Sequence, residues 1–118
     1  MLTFPPSVRI RLATGATDMR KQFDGLAAIA SHVMKEDVMS GHVFVFCNRR
    51  RDRVKLLFWD RSGYWLLAKR LEQGTFAWPA TTDAPSIEAT VRELMCMLEG
   101  IELSTTQTRR RMERMPVR

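Results

Sequence analysis

In the N-terminal part of the chain the spacing of apolar residues first fits a strand and then a helix. Residues 8–13 alternate apolar side chains with arginines, the pattern of a strand with one buried face. From residue 19 to residue 34 the apolar positions recur at steps of three and four, which predicts an amphipathic helix. We expect Thr17 or Asp18 to cap this helix, which should end near Glu36.

The segment after the first helix predicts a β-meander. Three runs rich in β-branched and aromatic residues follow one another at Val43–Cys47, Val54–Asp60 and Tyr64–Leu71. Their connections are short enough for hairpin loops, so consecutive strands should pair antiparallel. A fourth short strand is expected at Thr75–Trp78, before Pro79.

A second helix is expected near the C-terminus, with Ser86 as its cap, apolar positions from Ile87 to Leu98 and Gly100 at its end. Residues 104–118 lack periodicity and should form a basic, mobile tail. The fold class is therefore predicted as α+β, an antiparallel β-meander of about four to five strands packed with two helices. We expect a single domain over residues 1–103.

The composition is typical of one folded domain with a hydrophobic core. The chain has 118 residues, of which 45% are apolar and 27% charged, so it has the material for one domain. Cys47 and Cys96 both lie in apolar runs and are interpreted as reduced core thiols. No signal-peptide pattern and no apolar run of membrane-spanning length is present, which predicts a cytoplasmic protein without a membrane partner.

The net charge of +6 is unevenly distributed. Residues 47–71 carry eight basic and two acidic side chains, and residues 109–118 carry five and one. Between them, residues 72–108 carry one basic and six acidic side chains. Two basic blocks separated by an acidic one indicate two candidate contact regions for a polyanion or an acidic partner.

The loop between the first two meander strands is the leading candidate for phosphate contacts. Its arginines are Arg49, Arg50, Arg51 and Arg53. Arginine forks suit phosphates, and a β-ribbon can enter a major groove. The plainer interpretation is a solvated loop whose charges keep an edge soluble. We favour nucleic-acid contact because clustered like charges repel one another and are stabilised by an anion.

The aromatic side chains of the meander have two interpretations. In one interpretation the rings stack with bases, as on a protein surface that binds single-stranded nucleic acid. However, both faces of the strands are apolar, so we expect most of these rings to be core. Two helices can hardly cover both faces, which leaves one surface as a possible protein interface. The tail arginines from Arg109 onward suit either a phosphate-binding arm or a solvated terminus.

Catalytic motifs are absent from the sequence. It contains no P-loop, no dinucleotide fingerprint and no His or Cys at metal-ligand spacing. Asp18 and Asp24 fall on opposite sides of the predicted helix, and Asp52 and Asp60 stand at the two ends of one strand, so neither pair suits a metal nuclease. We therefore predict no enzyme, no catalytic residue, no metal and no cofactor.

Several spaced blocks, in the same order, match a known family; they are Ala13–Lys21, Phe23–Leu26, Ser40–Phe46, Lys55–Asp60 and Lys69–Pro79. On these blocks the chain resembles the TnpB accessory protein of bacterial insertion sequences of the sixty-six type, which is distinct from the RNA-guided nuclease of the same name. The resemblance covers about residues 5–103, nearly the whole predicted domain.

The resemblance implies a mobile-element protein that is encoded beside a small helix-turn-helix partner and a separate, larger transposase. In that family the transposase carries the strand-transfer chemistry, so the implied role is a non-catalytic accessory protein for transposition. Gln22 departs from the family pattern, where a glycine is common, and the tail lies beyond the matched blocks.

We expect transposon DNA to contact Lys55, Lys69 and Arg70 together with the four loop arginines. Arg20 and Lys21 are expected to add an anion site at the positive end of the first helix. The alternative is a protein–protein adaptor whose basic surface binds the transposase or the helix-turn-helix partner without DNA affinity. The sequence predicts no particular oligomeric state.

Overall fold

A computed structural model describes residues 4–79 and 82–100. Its elements are β1 (Ile10–Ala13), α1 (Phe23–Ala28), β2 (Val43–Cys47), β3 (Arg53–Asp60), β4 (Gly63–Arg70), β5 (Ser86–Ala89) and α2 (Val91–Leu98). The strands form one five-stranded sheet in the order β4-β3-β2-β1-β5. The predicted α+β class is confirmed.

The sheet combines the predicted meander with one parallel pair. β2, β3 and β4 pair antiparallel as consecutive hairpins. β1 runs parallel to β2, with Ile10 opposite Val43, because the chain crosses over through α1 before it returns to the sheet. On its other side β1 pairs antiparallel with β5, where Leu12 lies opposite Ile87.

The alternation of side chains along the strands divides the core into two layers. On one face Phe44, Phe46 and Leu57 pack against Leu26 of α1 and Ala30 just after it. We call this the α1 face. Because each of these five residues is at most 1% exposed, this helical segment seals the middle of the sheet on this side.

The opposite face, the α2 face, is covered by the second helix. Val43, Val45 and Leu56 pack there against Leu94 and Met97. Thus the two helices do cover both faces of the central strands. They cover the edge strand β4 less completely, because all eight of its residues are half-buried or exposed.

The first helix begins later than predicted. Thr17 is no cap, because it is buried and its backbone N–H donates to Cys47 O at 2.8 Å, which ties it to the end of β2. Asp18 is no cap either, since its carboxylate accepts from the backbone N–H and the guanidinium of Arg20. The helix starts at Phe23 with Gln22 in the cap position.

The end of this helix also differs from the prediction. After Ala28 the backbone widens into a π-helical turn at Ile29–Val33, and the Met34 N–H donates to Ile29 O at 2.9 Å. Lys35 then adopts a φ of +59°, which the helix cannot contain. The helical segment therefore stops before the expected Glu36.

The second helix also starts later than predicted. Ser86 is not a cap but the first residue of β5, because residues 86–89 complete the sheet beside β1. Thr90 is the cap instead: its hydroxyl accepts from the Glu93 N–H, and the Glu93 carboxylate accepts from the Thr90 N–H. Gly100, with a φ of +82°, follows the helix end as expected.

The fourth meander strand predicted at Thr75–Trp78 is wrong. This segment forms no ladder; instead the Phe76 N–H donates to Arg51 O at 2.6 Å and the Trp78 indole N–H donates to Ala13 O at 3.0 Å. Phe76 is buried, so one side chain and two hydrogen bonds anchor an irregular stretch across the sheet end.

Both cysteines are buried in the core, which agrees with their interpretation as core thiols. No helix among residues 4–79 and 82–100 is long and apolar enough to cross a membrane. The predicted tail, residues 104–118, lies outside the described residues.

Candidate nucleic-acid interface

The arginine-rich loop between β2 and β3 is organised by one asparagine. Asn48 Oδ1 accepts from the backbone N–H groups of Asp52 and Arg53, both at 3.1 Å. Its amide nitrogen donates to Asp52 Oδ1 at 2.7 Å, and this bond is the main cause that lowers the pKa of Asp52. The Asp52 carbonyl also accepts from the Leu71 N–H at 2.8 Å. The loop is therefore a fixed turn.

Within this turn the arginines point in different directions. Arg49 and Arg50 are exposed at the tip. Arg51 adopts a φ of +62° and turns inward, so that its guanidinium carbon lies 5.6 Å from the centroid of the Trp78 ring. Burial raises the pKa of the Cys47 thiol, and this effect outweighs the opposing effect of the Arg51 guanidinium.

Two further arginines face each other across the β3–β4 ladder. Arg53, at the start of β3, lies directly opposite Arg70, at the end of β4, and both residues are exposed. Arg70 forms an ion pair of 3.0 Å with Glu72, whereas Arg53 has no ion pair within the described residues. Like charges directly opposite each other destabilise a ladder, so this pair carries an uncompensated positive charge.

Arg53 and Arg70 border an open groove of about 440 Å³, which we call the basic groove. The groove lies on the α1 face at the end of the β3–β4 hairpin. Its lining residues are Met19, Arg53, Val54, Lys55, Ala68, Lys69, Arg70 and Glu72. Four cationic residues and one carboxylate thus line the same space.

Lys55 lies on the floor of the basic groove. It is only 9% exposed, and its ammonium donates to Met19 O and Lys21 O, both at 2.8 Å. These two bonds fasten the segment before α1 to the sheet. The predicted phosphate contact is therefore a buried cation that already binds two backbone carbonyls.

Lys69 belongs mainly to the other face of the sheet. It lies opposite Val54, and its ammonium donates to Leu98 O at 2.6 Å, at the C-terminal end of α2. A cation there is stabilised by the helix dipole. The predicted neighbours Lys69 and Arg70 consequently point to opposite faces, as consecutive residues of a strand must.

Arg20 and Lys21 directly precede Gln22, the N-cap of α1, so they lie beside the positive end of the helix but outside it, and an anion site there stays a prediction. Arg20 Nη2 binds Asp18 Oδ2 at 2.8 Å, which lowers the pKa of Asp18 to about 2. The carbon stem of Lys21 lies against Gly25, where an added Cβ would approach Lys21 Cβ to 3.2 Å. Met19, just before them, borders the basic groove.

The structure therefore separates the predicted contact residues into groups. Arg53, Lys55 and Arg70 meet in the basic groove, and Arg49 and Arg50 occupy the loop that leads into β3. The organising role of Asn48 was not predicted, although an asparagine at the start of a tight loop is a known turn signal.

Asp18, Asp52 and Asp60, which were considered for metal binding, each accept hydrogen bonds from neighbouring residues. Within residues 4–79 and 82–100 no three His, Cys, Asp or Glu side chains cluster at a metal-binding distance. Asp60 instead organises the β3–β4 turn, where it accepts from the backbone N–H groups of Ser62 and Gly63 and from the Trp65 indole.

Sequence comparison assigns the family. The profile of the IS66 Orf2-like proteins matches residues 8–108. The chain belongs to the IS66 Orf2-like family. Two relatives come from Sinorhizobium fredii strain NBRC 101917 / NGR234. The "Uncharacterized protein y4hO" is 36% identical over 102 residues, which cover 86% of this chain and 88% of the relative. The "Uncharacterized protein y4jC" is 32% identical over 111 residues, which cover 94% and 89%.

No solved structure gives a significant match to this chain. The resemblance to the sixty-six type of insertion sequence is confirmed by the family assignment, which indicates an insertion-sequence accessory protein of a family that is not a known class of enzyme. Association with the transposition machinery follows from the same assignment.

Proposed function

We propose that this IS66 Orf2-like protein is a non-catalytic accessory factor that binds transposon DNA through the basic groove and assists a separate transposase. The observation that carries the proposal is the position of Arg53 directly opposite Arg70 at the mouth of that groove. Two exposed guanidinium groups on one ladder are costly in the free protein and suited to a shared anion.

Phosphate is the anion that best fits this arrangement. Each guanidinium offers a planar fork of donors, and contacts to the DNA backbone position a protein without reading sequence. Arg49 and Arg50 extend the same positive surface along the loop. The turn that carries them is fixed by Asn48, so little conformational entropy is lost when a strand of phosphates is bound.

The remaining predicted contacts have supporting roles in this proposal. Lys55 raises the potential of the groove from below while its ammonium holds the segment that contains Met19. Arg51 positions the loop through Trp78, and Lys69 secures the end of α2. Arg20 and Lys21 lie in the segment next to the groove and add a second, weaker positive charge along its edge.

The test is a salt titration of DNA binding, measured by fluorescence anisotropy on a labelled transposon-end duplex and a random duplex. Each phosphate contact contributes about −0.9 to the slope of log affinity against log salt. Arg53→Ala and Arg70→Ala should each weaken binding and make the slope shallower by about 0.9. Arg61→Ala is the matched control, because Arg61 is exposed at the opposite end of the same hairpin.

Two results would contradict the proposal: absence of wild-type binding to either duplex at low salt, or an equal loss of affinity in Arg61→Ala and Arg53→Ala. Co-purification with the transposase or the helix-turn-helix partner after nuclease treatment, without DNA affinity, would establish the adaptor function instead. A transposition assay with the same variants connects the binding result to the biological role.

A further inference from the structure

β4 forms one edge of the sheet, and its outer side has no partner strand within the described residues. The Leu71 N–H donates to Asp52 O, on the β3 side. Because backbone groups alternate in direction along a strand, the odd-numbered residues of β4 also direct their N–H and C=O groups toward β3. Leu66 and Ala68, among the even-numbered residues, direct theirs outward.

This edge lacks most of the features that prevent edge pairing. β4 pairs with β3 over eight consecutive positions without a bulge, and residues 63–70 contain no proline. The opposite edge of the sheet, β5, is only four residues long. An eight-residue regular edge is a template for another strand, and cations at Lys69 and Arg70 protect only one end of it.

Trp65 stands on this edge as a fixed, exposed ring. It is 54% exposed on the α2 face, and its indole N–H donates to Asp60 Oδ2 at 2.6 Å, which sets the orientation of the ring. A large aromatic side chain held in place outside the core is typical of an interface anchor.

The same face has an apolar recess that begins two residues further along β4, at Leu67. This recess, the α2 groove, has a volume of about 390 Å³ and lies between β4 and the end of α2. Its apolar side chains are Leu56, Leu67, Met95 and Leu98, with Lys69 at the rim. An exposed aromatic ring and an apolar groove thus follow one another along one strand, on one face.

We propose that two copies of this chain pair antiparallel through β4, centred on Leu67, and that Trp65 of each copy occupies the α2 groove of the other. In this register Leu67 lies opposite its symmetry mate and Trp65 lies opposite Lys69. On the α1 face Tyr64 lies opposite Arg70. The aromatic end of each strand therefore meets the cationic end of the other on both faces.

The occupant is a second copy because the edge is complementary to itself. A two-fold axis perpendicular to the sheet reverses the strand and keeps each face on its own side, so each ring-to-cation contact forms twice. The same operation joins two five-stranded sheets into one of ten strands and places both basic grooves on a common surface. Arg70 then contacts both Glu72 of its own chain and Tyr64 of the other copy. Lys69 can approach the Trp65 ring of the other copy while its ammonium stays at the C-terminal end of α2.

The net charge of each copy predicts how salt affects the association of this dimer. Each copy carries +6, so the two copies repel one another, and added salt should strengthen association by screening that repulsion. DNA binding should respond in the opposite direction. The two properties are therefore separable: loss of one leaves the other measurable.

The test is analytical ultracentrifugation of the full chain across the micromolar range. Wild type should sediment at twice the monomer mass of 13.7 kDa. Trp65→Ala should raise the dimer dissociation constant at least about tenfold. Met39→Ala is its control, since Met39 is 58% exposed and lies outside the β4 edge.

Ala68→Pro removes an outward N–H and should also give monomers, whereas Ala68→Val keeps that N–H and should dimerise.

Circular dichroism establishes that each variant is folded before its mass is measured. A wild-type chain that stays monomeric at every concentration and salt would overturn the proposal. A dimer that persists unchanged in both Trp65→Ala and Ala68→Pro would also overturn it, because association would then use another surface.

Discussion

The Arg51 guanidinium lies 5.6 Å from the centre of the Trp78 ring, although Arg51 belongs to the most basic stretch of the chain. Its carbonyl accepts from the Phe76 N–H, so the same residue holds the irregular segment after β4 by backbone and by side chain. Arg51 is thus a structural residue in a loop whose neighbours are exposed.

We predict that Arg51→Ala lowers the free energy of unfolding by about 1–2 kcal/mol, because a cation–π contact and the packing of the side chain are both lost. Arg50→Ala, its exposed neighbour, should change stability by less than about 0.5 kcal/mol. Urea denaturation of the two variants measures the difference. Equal stabilities would show that the ring contact contributes nothing.

Lys55→Met should destabilise the protein by about 1–3 kcal/mol, because methionine fills the space of the stem but leaves the carbonyls of Met19 and Lys21 without their donor. Hydrogen exchange should then quicken in residues 19–22, which the ammonium holds. Lys35→Met, at an exposed lysine, is the control. Unchanged exchange in residues 19–22 would contradict the positioning role.

The meander was predictable from local pattern, whereas the position of β1 was not. Runs of alternating residues joined by short loops identify β2, β3 and β4, because hairpin pairing is a local event. The parallel pairing of β1 with β2 depends on a crossover through α1 and leaves no local signal. Ser86–Ala89 was misassigned for a related reason: Ile87 fits the helical spacing of the next segment equally well.

The candidate site was predictable in composition but not in geometry. The sequence identifies Arg53 and Arg70 as basic residues, yet their position on one face follows from the β3–β4 register. Burial of Lys55 and the inward turn of Arg51 depend on side chains far away in the sequence, namely the segment before α1 and Trp78. Such contacts have no periodic signature.

Thr90→Ala should cost about 1 kcal/mol of stability, because the Glu93 N–H loses its acceptor at the start of α2. Thr90→Ser keeps the hydroxyl and should stay close to wild type. Thr75→Ala, at an exposed threonine outside any helix, controls for the loss of the side chain itself. Thermal unfolding measures all three variants, and equal midpoints for Thr90→Ala and Thr90→Ser would exclude the capping box as a source of stability.

The acid side of the stability curve should depend on Asp18. Its pKa is lowered from 3.8 to about 2, first by the side-chain hydrogen bond from Arg20 and then by the Arg20 backbone N–H. A carboxylate with a depressed pKa in the folded state stabilises the protein above the pKa of the unfolded state, and that contribution disappears as the pH falls from about 4 through about 2. Asp18→Asn should therefore flatten the acid limb of a pH–stability profile in this window.

Arg20→Gln tests the cause of that shift. Without the guanidinium the Asp18 pKa should rise toward its ordinary value, because the largest stabilising partner of the carboxylate is lost. Carbon-detected NMR of the Asp18 carboxyl follows the titration directly. Arg92→Gln, an exposed arginine on α2, should leave it unchanged. An Asp18 pKa that stays near 2 in Arg20→Gln would assign the shift to the surrounding backbone instead.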